Sequence, residues 1–256
     1  MEVSERKEKV YINVGDRKIF GILNVPKHEE GQKIPIVIMM HGIKMSTGQY
    51  PYFELAQMFL EKKIAVFRFD FYGHGRSDGE FEKLKISTCV EDAEAVLKYV
   101  QELDFVSDVI LLGHSLGGDI VIIEAAKHPD IIKHLILISP AVVLYTMPER
   151  GTSFGRKIDF NNLPEKIVYN EDFILRREYF LELKNYNYME LAKDFPGQVC
   201  IMLGDQDERI PKSYADELNE NFANSYVKMM PGGHHMLLDC GDQVISISKE
   251  FVEKLY

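Results

Sequence analysis

The sequence predicts an α/β fold, a mostly parallel sheet with helices on both of its faces. Continuous apolar runs such as 34–40 and 109–112 are typical of parallel strands that are covered on both faces. They alternate with segments of helical spacing such as 90–103, in which apolar residues recur at intervals of three and four. This alternation of strand and helix indicates a parallel sheet.

The predicted elements follow one another in a regular order at both ends of the chain. The first is a hairpin, 10–14 and 18–23, around the turn residues Gly15 and Asp16. The later elements are strands at 34–40, 64–70, 109–112, 135–138, 199–203 and 226–230, and helices at 52–62, 90–103, 118–127, 212–222 and 242–255.

The regular pattern is interrupted between residues 141 and 193. This stretch is too long for an ordinary connection between sheet elements, and it is too rich in aromatic residues to be disordered. We therefore expect residues 1–140 and 194–256 to form a single core, with 141–193 inserted as a cap.

Charge and composition exclude several classes of partner. The 256-residue chain has a formal net charge of −10, whereas nucleic acids and anionic membranes select cationic surfaces. Its three cysteines lack metal-ligand spacing, and unpaired thiols fit a cytoplasmic protein. From the residue pattern we expect neither a secretory signal nor a membrane-spanning segment. We expect a cytoplasmic protein that acts on a small molecule.

The most informative motif is Gly113-His114-Ser115-Leu116-Gly117, which lies between an apolar strand and an apolar helix. A serine on such a sharp strand-to-helix turn has an exposed hydroxyl, and the N–H groups of the new helix point toward the atom it attacks. The context predicts that Ser115 is a nucleophile.

A second copy of the pattern, Gly75-Arg76-Ser77-Asp78-Gly79, lacks this context. No apolar helix follows it, and Asp78 would place a carboxylate beside the amide that should stabilise an oxyanion. We expect Ser77 to be a turn residue.

A serine nucleophile needs a base, which a third group orients. Acidic residues follow the strand at 199–203 (Asp205 and Asp207), and histidines follow the strand at 226–230 (His234 and His235). The chain order Ser, Asp, His is the one expected for the α/β-hydrolase arrangement. The pattern alone leaves both pairs of alternatives open.

Over nearly its whole length the chain resembles the α/β-hydrolase superfamily, and most sharply the bacterial cinnamoyl (feruloyl) esterases. The matching segments are 41–42, 68–79, 103–106, 113–115, 117–118 and 204–207. The resemblance implies that Ser115 is the nucleophile, His235 the base and Asp207 the acid. The backbone N–H groups of Ile43 and Leu116 would then form the oxyanion hole.

Two residues differ from those of the family, one in the cap and one directly after the nucleophile. Tyr179 is similar in position to a tyrosine that hydrogen-bonds the phenolic end of the substrate in some relatives. The acidic residue that partners it there is replaced by Met147, and Leu116 stands where the group often has Gln. The resemblance implies a more apolar pocket, which tolerates plain aryl or short acyl groups.

The sequence predicts a serine carboxylic-ester hydrolase that works without metal or cofactor and forms an acyl-enzyme on a small to medium ester. The resemblance implies that this substrate is a hydroxycinnamoyl ester. The alternatives are a monoacylglycerol lipase or lysophospholipase, a thioesterase, and a non-catalytic small-molecule receptor. A homodimer is a further expectation.

Overall fold

The computed structural model describes residues 4–256 and contains strands, α-helices and short 3-10 turns. The strands are β1 (Ser4–Val14), β2 (Arg17–Pro26), β3 (Ile34–Met40), β4 (Ala65–Phe69), β5 (Val106–His114), β6 (Ile132–Ile138), β7 (Thr152–Ser153), β8 (Arg156–Lys157), β9 (Lys166–Asn170), β10 (Phe173–Arg176), β11 (Gln198–Gly204) and β12 (Ser225–Met230). The helices are α1 (Tyr52–Glu61), α2 (Ile86–Gln101), α3 (Leu116–Lys127), α4 (Met147–Arg150), α5 (Arg177–Glu182), α6 (Tyr188–Ala192), α7 (Lys212–Asn221) and α8 (Gly241–Glu253).

Eight strands form one sheet in the order β1-β2-β4-β3-β5-β6-β11-β12. The β1–β2 and β2–β4 pairs are antiparallel, and the pairs from β4 to β12 are parallel. The predicted α/β fold class and the N-terminal hairpin are therefore confirmed.

Apolar side chains cover both faces of this sheet. Along β5, Leu111 packs into the cluster under α2 and α3, whereas Ile110 and Leu112 pack on the opposite face with α1 and α8. This alternation follows from the two-residue period of a strand. Because both faces of the sheet are covered, the central strands are apolar at successive positions in the sequence.

Two helices begin two or more residues earlier than predicted. Helix α2 begins at Ile86, four residues before the predicted start at Val90, because Ile86 and Cys89 are already buried in the core. Helix α3 begins at Leu116 and not at 118. Its first turn therefore follows Ser115 directly.

The segment between β6 and β11 folds outside the main sheet. It contains two small hairpins, β7–β8 and β9–β10, and the short helices α4, α5 and α6. Several of its side chains are buried in the cluster beside α2 and α3, including Leu144, Phe180 and Tyr188. Whether this segment acts as a cap stays a prediction.

Among residues 4–256, no helix combines the length with the apolar character that crossing a membrane requires.

The turn between β5 and α3 is held very close to its neighbours. Ser115 has φ 51° and ψ −120°, a backbone conformation that only glycine adopts without strain. A Cβ added at Gly117 would lie 2.2 Å from the carbonyl oxygen of Met40, and one added at Gly113 would lie 2.3 Å from that of Gly117. Glycine at 113 and 117 lets α3 start directly above the end of β3.

Because the Ser115 backbone is strained, we expect glycine and alanine at this position to have the opposite order of stability from the one usual in helices. We expect Ser115→Gly to be more stable than Ser115→Ala by about 1–2 kcal/mol, because glycine adopts a positive φ without steric cost. Urea unfolding at 25 °C measures the difference.

The matched control is Ser246, an exposed residue in the middle of α8. There the alanine variant should be the more stable one by about 1 kcal/mol, since glycine is the poorer helix former. If Ser115→Ala equals or exceeds Ser115→Gly in stability, the backbone at 115 is not strained.

Candidate active site

The structure brings Ser115, His235 and Asp207 together. His235 Nε2 lies 2.9 Å from Ser115 Oγ, and His235 Nδ1 lies 3.0 Å from Asp207 Oδ2. The side chains of His235 and Asp207 are 3% and 1% exposed. An ionised Asp207 accepts the Nδ1 proton, so Nε2 offers its lone pair to the serine hydroxyl.

Asp207 is held as a carboxylate by its hydrogen bonds. Burial on its own would raise the pKa of Asp207, but the contact with His235 and the backbone amides of Ile210 and Arg209 lowers it below its usual value. Those two amides donate to Oδ1 at 2.9 Å each, which leaves Oδ2 for the histidine. Both carboxylate oxygens are thus used.

The backbone of His235 is anchored by a residue that the sequence analysis did not single out. His114 lies next to Ser115 in the chain, and its Nε2 donates to the carbonyl oxygen of His235 at 2.8 Å. Burial, with the nearby His235, lowers the pKa of His114 to about 3, so its ring is neutral. No spacing rule signals this contact, since it joins positions 121 residues apart.

The alternative acid and base lie elsewhere. Asp205 is exposed, and its Oδ1 accepts the backbone N–H of Gly232 at 2.7 Å. His234 is also exposed, and its ring nitrogens lie 3.5 Å from Glu208 and 3.8 Å from Asp239. The geometry therefore favours Asp207 over Asp205 and His235 over His234.

Ser77, in the second copy of the motif, is a turn residue as predicted. Its hydroxyl accepts the backbone N–H of Phe20 at 2.9 Å and donates to the carbonyl oxygen of Asp70. The neighbouring Asp78 accepts the N–H of Lys18 at 2.8 Å. These contacts tie the loop after β4 to β2.

The two predicted oxyanion-hole residues flank Ser115. Leu116 is the first residue of α3, so its N–H has no acceptor within the helix. Ile43 follows Gly42, and a Cβ added at Gly42 would lie 3.2 Å from the Ser115 Cβ. The loop after β3 thus packs directly against the serine.

Two neutral histidines hold that loop. His41 Nδ1 donates to the carbonyl oxygen of Gly42 at 2.8 Å, and its Nε2 accepts the N–H of Phe71 at 3.1 Å. His74 Nε2 accepts the N–H of Lys44 at 3.0 Å. Burial lowers the pKa of both rings, that of His41 to well below its usual value. The predicted bracing role of His41 agrees with these contacts.

A cavity of about 780 Å³ opens at Ser115 and His235. Apolar and polar side chains both line it, and its volume lies within the usual range for small-molecule sites. The aliphatic part of the wall comprises Ala141, Val143, Leu144, Met147 and Ile210. Met147 thus lies where the sequence analysis placed it.

Three aromatic rings form another part of the wall. Phe154, Tyr169 and Phe173 contact one another with ring centroids 4.7–5.3 Å apart, and Phe154 packs edge-to-face on the other two rings. The Tyr169 hydroxyl donates to Ser153 Oγ at 2.8 Å. In the sequence these three rings count only toward the aromatic content of residues 141–193, since no spacing marks them as pocket residues.

The position of Tyr179 differs from the expectation. Tyr179 is completely buried and is not among the residues that line the cavity. It belongs to α5, whose inward face packs Tyr179 and Phe180 into the core beside α2 and α3. The expected contact between Tyr179 and a substrate is therefore corrected: Tyr169 is the tyrosine that lines the cavity.

One group of side chains with metal-ligand geometry lies away from this site. In the described part of the chain, Glu94, Glu124 and His128 bring their ligand atoms within 4.8 Å of one another. The Lys127 ammonium contacts Glu94 and lies 3.8 Å from Glu124. This ion-pair network sits at the far end of α3, about 18 Å along the helix from Ser115.

Known sequences similar to this chain include monoglyceride lipases. Human monoglyceride lipase is 36% identical over 122 residues, which is 46% of this chain and 38% of that enzyme. The monoglyceride lipase homolog of Monkeypox virus is 26% identical over 213 residues, 79% of this chain and 75% of that protein. The chain thus matches well under half the length of the human enzyme.

Among solved structures, Est1E from Butyrivibrio proteoclasticus with ferulic acid bound superposes with a TM-score of 0.91. It is 30% identical, and the match covers 96% of this chain and 98% of that one. Residues 31–186 match the Hydrolase_4 family (serine aminopeptidase, S33). The chain therefore belongs to the Hydrolase_4 family and is a serine hydrolase with the α/β-hydrolase fold.

Proposed function

We propose that the enzyme hydrolyses carboxylic esters through an acyl-enzyme on Ser115, and that the acyl group is aromatic, of the hydroxycinnamate type. The observation that carries the proposal is the cavity at the Ser115–His235 pair, whose wall includes a cluster of three aromatic rings. Planar acyl groups pack well against such rings.

In the first step, Ser115 Oγ attacks the carbonyl carbon of the ester, and its proton passes to His235 Nε2. The 2.9 Å contact between these atoms supports this transfer. Asp207 fixes the tautomer of His235 and stabilises the imidazolium that forms.

The developing oxyanion needs donors that are already in place. The N–H groups of Leu116 and Ile43 would supply them, one from the start of α3 and the other from the loop after β3. The start of α3 and the loop after β3 both lie against Ser115, so their N–H groups require little reorganisation when the oxyanion forms.

When the tetrahedral intermediate collapses, the bond to the alcohol oxygen breaks and His235 protonates that oxygen. Water then attacks the acyl-enzyme, giving one proton to His235, and the acid leaves as His235 returns the proton to Ser115 Oγ. The same three side chains serve both halves of the reaction.

The likeness to Est1E with bound ferulic acid supports the aromatic acyl group, since that match covers almost the whole chain. A second candidate is monoacylglycerol hydrolysis. Its support is the similarity to monoglyceride lipases together with the aliphatic wall of the cavity.

Alanine substitutions at Ser115 and His235 test their proposed roles in catalysis. We expect Ser115→Ala to lower kcat for 4-nitrophenyl butyrate by about 10⁴-fold or more, and His235→Ala by a similar factor, because each removes a group that bonds or transfers a proton in the reaction. Stopped-flow absorbance should show a burst of 4-nitrophenol only when both residues are present.

The exposed neighbour provides the matched control for the base. His234→Ala should retain the burst and most of the turnover. Loss of the burst in His234→Ala with its retention in His235→Ala would reverse the assignment, and full activity of Ser115→Ala would exclude Ser115 as the nucleophile.

A substrate series decides between the two acyl classes. We expect kcat/KM for methyl ferulate to exceed that for monoacylglycerols of two to twelve acyl carbons, because the aromatic wall favours a planar ring. Product release can be followed by liquid chromatography. A steady rise in kcat/KM with chain length, without ferulate hydrolysis, would favour the monoacylglycerol candidate and reject the aromatic one.

A further inference from the structure

The cavity at Ser115 is unusually rich in cations for so acidic a chain. Arg150, Arg156 and Arg209 all line it, and Glu208 is the carboxylate among the lining residues. The protein as a whole carries a formal net charge of −10. The positive charge of the cavity is therefore a local feature that opposes the overall balance.

The single carboxylate does not neutralise this group. Glu208 lies 3.7 Å from Arg209 and 3.5 Å from His234, so its charge is already shared. Within residues 6–256, no carboxylate oxygen lies within 4 Å of the Arg150 or Arg156 guanidinium. Two cations at the cavity thus lack an acidic partner in the protein.

The local fold brings these two arginines to one wall. Arg150 ends α4, and the β7–β8 hairpin then turns back through Phe154 and Gly155, both at positive φ. This is the backbone of a tight two-residue hairpin turn. It returns the chain so that Arg156 pairs with Ser153, close to the end of α4.

The orientation of Arg156 is fixed by a neighbouring strand. One of its terminal nitrogens donates to the carbonyl oxygen of Val168 in β9, which leaves the remaining N–H groups available. The guanidinium of Arg150 makes no hydrogen bond or ion pair within the described residues. Both arginines are exposed, so an anion that enters the cavity can reach their guanidinium groups and is attracted by the positive charge of each.

We propose that the ester substrate carries an anionic group, a carboxylate or a phosphate, which Arg150 and Arg156 bind at the cavity. The proposal rests on the proposed ester hydrolysis at Ser115. A guanidinium recognises either anion through two parallel N–H donors. The anion can belong to the acyl part or to the alcohol part of the ester, and matched probes distinguish the two.

The test compares two pairs of esters that differ in one charge. In the acyl pair, 4-nitrophenyl pentanoate is compared with the 4-nitrophenyl hemiester of glutaric acid. In the alcohol pair, propyl ferulate is compared with 2-carboxyethyl ferulate. We expect kcat/KM for the anionic member to exceed that for the neutral member at least fivefold in one pair, and that pair identifies the part that carries the anion.

The preference should depend on the two arginines and on ionic strength. In Arg150→Gln/Arg156→Gln the ratio of anionic to neutral kcat/KM should fall at least fivefold, and 0.5 M NaCl should reduce the wild-type ratio because salt screens exposed charges. The matched control is Arg177→Gln, which removes an exposed arginine of the same segment that is not part of the cavity wall. This variant should keep the wild-type ratio.

A ratio of one or less in both pairs overturns the proposal, and so does an unchanged ratio in the double variant. If neither member of any pair is hydrolysed, ester hydrolysis itself fails. That result is distinct from hydrolysis of the neutral esters without an anionic preference.

Discussion

The close approach of α3 to the end of β3 is the constraint on which the site depends. Because a Cβ at Gly117 would lie 2.2 Å from the carbonyl oxygen of Met40, a larger residue there would push the helix away. The turn that permits this approach holds Ser115 at φ 51°. It also places the first N–H of the helix beside the serine and the loop of Ile43 against it. The strained backbone at Ser115 thus allows the N–H groups of Leu116 and Ile43 to be held rigidly beside the serine.

Burial assigns different charges to the groups around this turn. His41 and His114 are neutral because burial lowers the pKa of each. His41 holds backbone groups with both ring nitrogens, and His114 holds the carbonyl oxygen of His235 with Nε2. Asp207 is also buried, but its hydrogen bonds keep its pKa below the usual value. The negative charge beside His235 therefore meets no competing cation from the other two rings, and His235 alone faces both Asp207 and Ser115.

The sequence predicted the sheet, and it predicted that Ser115 would meet an acidic residue and a histidine, because each follows the end of a parallel strand and such ends share one edge. That pattern left Asp205 and His234 as alternatives, and the family resemblance singled out Asp207 and His235. The walls of the cavity could not be predicted in this way. Most of the wall residues come from the segment between β6 and β11, whose sequence shows neither the two-residue period of a strand nor the 3.6-residue period of a helix. Tyr179 faces the core because of how α5 packs, and Phe154 faces the cavity because of a tight hairpin turn; both depend on tertiary contacts.

The central claim is that Ser115 becomes acylated during turnover. The most direct measurement is rapid-quench mass spectrometry of the enzyme mixed with 4-nitrophenyl ferulate, followed by peptide mapping. The account predicts a mass increase of one feruloyl group on the peptide that contains Ser115, and no such increase in Ser115→Ala. A feruloyl group on another residue, or hydrolysis by Ser115→Ala at the wild-type rate, would contradict it.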